Sequence, residues 1–195
     1  MKRKGYTLVE LLVALAIVAI IASTATVALA DRLGGHAATA GARELSATLQ
    51  SLRFRAVATN RHHGLYFERD ATGWFWFVVR DENGNGLRTR EILDGVDRRL
   101  SGPHRLRDRS RGIDLGFPAV TIPALPPRTG SIDDLDDPVK FGRADLVSFA
   151  PLGTASGGTL YLTDGRYALR AVVLFGPTAR VRVWRFDTRE GRWRL

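Results

Sequence analysis

The sequence predicts an α+β protein: a long N-terminal helix whose first half crosses a membrane, packed by its second half on an antiparallel β-sheet or sandwich. Three observations carry this. Residues 11–30 form a run of twenty without a charge. From Ala38 to Ala56 apolar residues recur at alternating steps of four and three. After Asn60 the period changes to two, in short runs that continue to Phe186.

Composition sets the outer bounds. A chain of 195 residues is one domain with an appendage. Apolar residues at 45% are enough for a packed core, and charged residues at 25% exclude wholesale disorder. The absence of cysteine excludes a disulfide framework, thiol catalysis and thiolate metal sites. The net charge is +9, and without Lys2, Arg3 and Lys4 it falls to +6. A basic surface attracts nucleic acid or anionic lipid, but charge alone also serves solubility.

The first element follows from length and charge. A run of twenty residues is ~30 Å long as a helix, the thickness of a bilayer core. Its polar interruptions are Ser23, Thr24 and Thr26 alone. The basic residues Lys2, Arg3 and Lys4 precede it, which predicts a cytoplasmic N-terminus and a periplasmic C-terminal part. A secretory signal peptide is the competing reading, with Ala28-Leu29-Ala30 as its cleavage site. Against it stand the length of the run and Glu10 at its edge, where a carboxylate beside hydrocarbon is costly.

Gly5-Tyr6-Thr7-Leu8-Val9-Glu10 before an apolar helix resembles the prepilin motif of type IV pilins and type II secretion pseudopilins. The resemblance implies cleavage between Gly5 and Tyr6 by a prepilin peptidase, which also methylates the new N-terminus at Tyr6. It implies that Glu10 serves subunit assembly, pairing with the N-terminal amine of a neighbouring pilin. The resulting division is a leader over 1–5, a membrane helix over 6–30, an amphipathic second half over 31–60 and a β-rich domain over 61–195.

The second half of the helix carries the stripe Ala38, Ala42, Leu45, Leu49, Leu52 and Ala56, which Arg43, Glu44, Ser46, Gln50, Arg53 and Arg55 avoid. Gly34-Gly35 before it weakens the helix and allows a bend. Residues 65–69 and 74–80 read as a hairpin around Asp70-Ala71-Thr72-Gly73. Residues 146–149, 159–162, 167–175 and 180–186 read as later strands, with Asp164-Gly165 as a tight turn. Pro118, Pro123, Pro126 and Pro127 punctuate a loop that runs into Asp133, Asp134, Asp136 and Asp137.

Ser148-Phe149-Ala150-Pro151-Leu152-Gly153, then Gly158-Thr159-Leu160-Tyr161-Leu162, then Ala179-Arg180-Val181-Arg182, resembles the domain of GspH pseudopilins and FimT-type minor pilins. This implies protein transport by a type II secretion system, or DNA uptake through a type IV pilus. The DNA-binding signature of the FimT type has glycine where this chain has Ala179.

Three candidate sites remain. Asp81, Asn83 and Asn85 in Asp81-Glu82-Asn83-Gly84-Asn85-Gly86 offer oxygens at alternating positions, as in a calcium loop, but the twelfth position is Ile92 and Glu91 stands one place early. The same residues are strong turn formers, so an ordinary loop is expected first. Arg180 and Arg182 share a strand face with Trp184, which suits phosphate contact and base stacking. His62 and His63 sit at the helix-to-strand corner and are expected to be exposed. No catalytic spacing and no phosphate-binding loop occurs in the sequence, so it predicts no enzyme and no obligatory cofactor.

Overall fold

The computed structural model describes residues 7–166, 168–188 and 190–195, and for residues 23–34 the backbone alone. Its contacts divide the chain into two units, Met1–Leu33 and Gly34–Leu195, taken separately here. The expected leader over 1–5, with the cleavage pair Gly5 and Tyr6, lies outside the described residues.

In the first unit, helix α1 (Leu8–Thr59) begins directly after Thr7. The ten large apolar side chains from Leu8 to Ile21 are each 52–77% exposed. The expected span over 6–30 includes Tyr6 and the side chains of 23–30, which are outside the described residues. Among the described residues no helix is long and apolar enough to cross a membrane.

The second unit opens with the remainder of α1. Ala38, Ala42, Leu45, Leu49, Leu52 and Ala56 are all at most 2% exposed, as the stripe predicts. The helix ends one residue before the expected Asn60, which adopts φ 50°. Asn60 N–H donates to Val57 O at 3.4 Å and Arg61 N–H to Ala56 O at 3.3 Å. This crossed pair satisfies the last carbonyls and turns the chain into the first strand.

The hairpin forms as predicted: β1 (His63–Asp70) pairs antiparallel with β2 (Gly73–Arg80), with Asp70 opposite Gly73. The Asp70 carboxylate accepts both the N–H and the hydroxyl of Thr72, which fixes the turn. A short helix α2 (Thr89–Leu93), an edge strand β3 (Arg98–His104) and a one-turn helix α3 (Leu106–Arg109) follow. Two-residue strands β4 (Asp114–Leu115) and β5 (Val139–Lys140) flank the proline-rich segment. Then come β6 (Leu146–Phe149), β7 (Gly158–Thr163), β8 (Leu169–Phe175), β9 (Arg180–Asp187) and β10 (Arg192–Arg194). Strand β8 starts two residues later than expected, and Tyr167 is outside the described residues.

The strands form two sheets: β3-β2-β1-β6, and β10-β9-β8-β7-β4 with β5 also on β7. Strand β6 joins the first sheet beside β1, so close that a side chain at Gly64 would collide with the Val147 carbonyl. The helix stripe shares one core with Phe67 and Trp76 of the first sheet and Leu160, Leu162 and Val172 of the second. Residues 117–132 cover part of the opposite face of the second sheet, where Ile122, Tyr161, Leu169, Phe186 and Trp193 form another core. Ile92 caps the outer face of the first sheet with Tyr66, Val79 and Leu146. All three cores lie within 34–195, so this unit carries what it needs to fold by itself.

The stripe should dominate stability. Leu49→Ala should cost about 3 kcal/mol, whereas Phe54→Ala, at a residue 72% exposed, should stay within about 0.5 kcal/mol of wild type. Urea unfolding of the 34–195 fragment checks both.

Candidate functional site

The N-terminal site is built on one turn of helix. Thr7 Oγ1 accepts the Glu10 N–H at 3.2 Å, while Glu10 Oε2 accepts the Thr7 N–H at 2.8 Å and its hydroxyl at 2.9 Å. This is a reciprocal capping box, which satisfies donors that a helix start otherwise leaves bare. The predicted assembly residue Glu10 is therefore held by Thr7 in the isolated chain. Thr7 escaped the sequence reading, although Thr-x-x-Glu before an apolar run is its local signature.

The Asp81 loop is closed on itself. Asp81 is fully buried, and its two oxygens accept the Gly84 N–H at 2.7 Å and the Gly86 N–H at 2.9 Å. Asn83 and Asn85 donate through their side-chain amides to the two oxygens of Glu91, at 2.8 and 2.9 Å. The three predicted residues thus share one loop, in which Glu91 is the partner of Asn83 and Asn85, while Asp81 holds the backbone amides of Gly84 and Gly86. Among the described residues no group of three or more His, Asp or Glu is placed to hold a metal ion. Behind the loop, Asp97 is 1% exposed and accepts the Glu82 and Arg88 N–H groups at 3.4 and 3.3 Å. Burial pushes its carboxyl up, reinforced by Asp81 and Glu91 and opposed by the two amides.

The histidine corner corrects the sequence reading. His63 is buried at 3% exposure, and its Nδ1 lies 3.1 Å from Arg61 O. His62 is half-buried with Nδ1 3.3 Å from Ser148 Oγ. Both are drawn in because β6 pairs with β1 at this corner, with His63 opposite Phe149. Such a long-range pairing leaves no local sequence signal. Burial also pushes the His63 imidazole down, favouring its neutral form.

Strand β9 displays the predicted arginines. Arg180 and Arg182 are exposed and make no ion pair with another described residue, whereas Val181 and Val183 pack toward the main core. Trp184 lies on the arginine face and packs with the second core. Ala179 precedes them in the left-handed conformation, φ 49° and ψ 31°, at 2% exposure. The chain thus makes with alanine the turn that glycine takes more easily.

Arg170 is a further residue that sequence reasoning missed. It is buried at 6% exposure, and its guanidinium donates to Gly35 O at 3.0 Å, Thr39 Oγ1 at 3.1 Å and Leu169 O at 3.0 Å. It ties β8 to the helix where the helix enters the second unit. In a strand of otherwise apolar residues, arginine carries no signal for such a role.

A family model described as the prokaryotic N-terminal methylation motif matches residues 1–26. No curated protein and no solved structure matches the chain. The motif match supports a type IV prepilin-like protein. The α+β architecture, with its N-terminal helix and antiparallel sheets, is consistent with a pilin-like fold.

Asp97 gives a pH prediction. Its folded-state pKa is raised, so the folded state holds its proton longer than the unfolded state. Stability should therefore fall as pH rises from the usual aspartate value, 3.8, toward neutrality. Asp97→Asn should remove this part of the slope, read as urea midpoints across that range.

Proposed function

We propose that the chain is a minor pseudopilin of a type II secretion system, in the GspH/FimT group, made as a prepilin and assembled into a pseudopilus. The observation that carries this is the start of the N-terminal helix: from Leu8 to Ile21 its large apolar side chains are all exposed, and the methylation motif matches residues 1–26. A surface of that kind is stable only in lipid or against other apolar helices. Before assembly the inner membrane would cover it, with the N-terminus cytoplasmic and the β-rich domain periplasmic. In the filament the helices of other pilins or pseudopilins would replace the lipid.

In this reading Gly5 and Tyr6 are the substrate of the prepilin peptidase, and Glu10 is the assembly charge. An incoming subunit's N-terminal amine would compete with Thr7 for the Glu10 carboxylate. A cation is the stronger partner in a low dielectric, and Thr7 keeps the carboxylate oriented until one arrives. The role is structural, with no reaction for the chain to catalyse.

A second reading is favoured by one observation. Arg180 and Arg182 stand exposed beside Trp184 without ion-pair partners among the described residues. That is the arrangement a DNA-binding minor pilin of a type IV pilus would need for DNA uptake.

Mass spectrometry of the mature chain should find a methylated Tyr6 at its N-terminus; Asp31 there would refute the prepilin reading. For the second reading, the 34–195 fragment should bind duplex DNA with a salt dependence. Replacing Arg180 and Arg182 by alanine should lower the slope of log K against log salt by about 2. No binding at low salt would remove it.

A further inference from the structure

The outer face of the second sheet is covered on one side and bare on the other. Residues 117–132 lie over its Tyr161–Leu169–Phe186 part, anchored where Trp193 Nε1 donates to Pro123 O at 2.8 Å. The cover stops short of the corner where β8 ends and β9 begins. There Phe175 is 58% exposed, opposite Arg180, and Val173 is half-buried, opposite Arg182. Between cover and corner runs a groove of about 920 Å³, with Val173, Phe175, Tyr161 and Trp184 among its lining.

The two banks of this groove carry opposite charge. On the covered side, Asp133 and Asp134 line it beside Arg128, and Asp136 and Asp137 follow, so this bank is acidic on balance. Lys140 answers part of that charge, 3.5 Å from Asp134 and 3.2 Å from Asp137. Just past the bare edge stand Arg180 and Arg182, which do not line the groove themselves but lie opposite Phe175 and Val173 of its lining. The register sets the spacing: Lys140 is opposite Thr159, Thr159 opposite Val173, and Val173 opposite Arg182. Three strand spacings of ~4.8 Å put Lys140, at the foot of the acidic bank, ~14 Å from Arg182 at the backbone. That exceeds the reach of an ion pair within one chain.

Such a surface is a step: a raised acidic side, a low basic side and an apolar floor between. Turned by a two-fold rotation about an axis through the floor, it complements itself. The acidic bank of each copy then lies over the bare arginines of the other, and both Phe175 side chains leave water. A closed two-fold contact needs this property, in which one patch serves both subunits.

We propose that this corner is a docking surface for a second copy of this chain, related by a two-fold axis. Asp133 and Asp136 of each copy meet Arg180 and Arg182 of the other. The contact uses the β-rich domain alone and does not depend on the helix-borne assembly proposed above. Its ion pairs sit at a partly wet rim, so salt should loosen it, while Phe175 supplies the burial that salt does not touch.

Sedimentation of the 34–195 fragment at low salt tests this with two charge reversals. One is Arg180→Asp with Arg182→Asp. The other is Asp133→Arg with Asp136→Arg, which leaves the turn-forming bonds of Asp134 and Asp137 in place. Circular dichroism first confirms that both variants fold. Wild type should be a dimer, each variant alone should be a monomer, and an equimolar mixture should recover the dimer. A monomeric wild type would overturn the proposal, as would a dimer in either variant alone or a mixture that stays monomeric. If wild type is monomeric yet retains DNA that the arginine variant loses, the corner is a nucleic-acid surface instead.

Discussion

The burial of one helix stripe between two sheets is the constraint on which the rest of the domain depends. Leu45, Leu49 and Leu52 fill the middle, while Ala38, Ala42 and Ala56 keep its ends narrow. Each sheet then needs separate cover on its far face. The proline-rich segment supplies it for one, and the segment around Ile92 for the other. Arg170 adds a polar fixing to this apolar packing. Its charge is buried, but two carbonyls and a hydroxyl of the surroundings accept its donors. A charge so placed gives direction: it specifies which turn of the helix meets β8, which apolar contacts alone would leave freer to slide.

The stripe was legible because its period is local. Six positions read from spacing alone are all buried. The hairpin at Asp70–Gly73 was legible for the same reason, as were β6 to β9, whereas the short β4, β5 and β10 were not. What the sequence hid was long-range. Strand β3 contains Gly102, Pro103 and two arginines, a composition that argues against a strand. It forms because it is an edge that β2 can hold from one side. His63 reads as a surface residue until β6 arrives beside it from 86 positions away. Arg180, Arg182 and Glu10 are expectations drawn from their neighbours; the cap that Thr7 forms was equally readable, and the anchoring by Arg170 was not.

The two units pose opposite problems to water. The domain over 34–195 hides its large apolar groups in three cores, leaving few exposed. The segment from Leu8 to Ile21 hides none. A helix apolar all round is not a stable surface element, and the capping box at Thr7 and Glu10 addresses only its end. In the proposed assembly, lipid or other apolar helices would cover it. A bilayer and a sheath of like helices are equivalent in this respect, since both offer hydrocarbon without competing hydrogen bonds. In the proposed assembly a subunit would therefore pass from one to the other without its helix meeting water. What changes between them is the partner available to Glu10: a bilayer core offers no cation, whereas a neighbour's amine does.

The arginines of β9 are where the competing readings meet. Much of the basic surface is already engaged: Arg99 with Glu68, Arg105 with Asp70, Arg109 with Glu44. Arg180 and Arg182 have no such partner among the described residues, and their charge is balanced only at the far bank of the groove. A phosphate backbone would satisfy the two guanidinium groups but would do nothing for Phe175, and it would meet the aspartates across the groove as like charge. A second copy would satisfy the arginines, the aspartates and the phenylalanine together. The two occupants cannot share the corner, so DNA would have to displace the second copy to reach it.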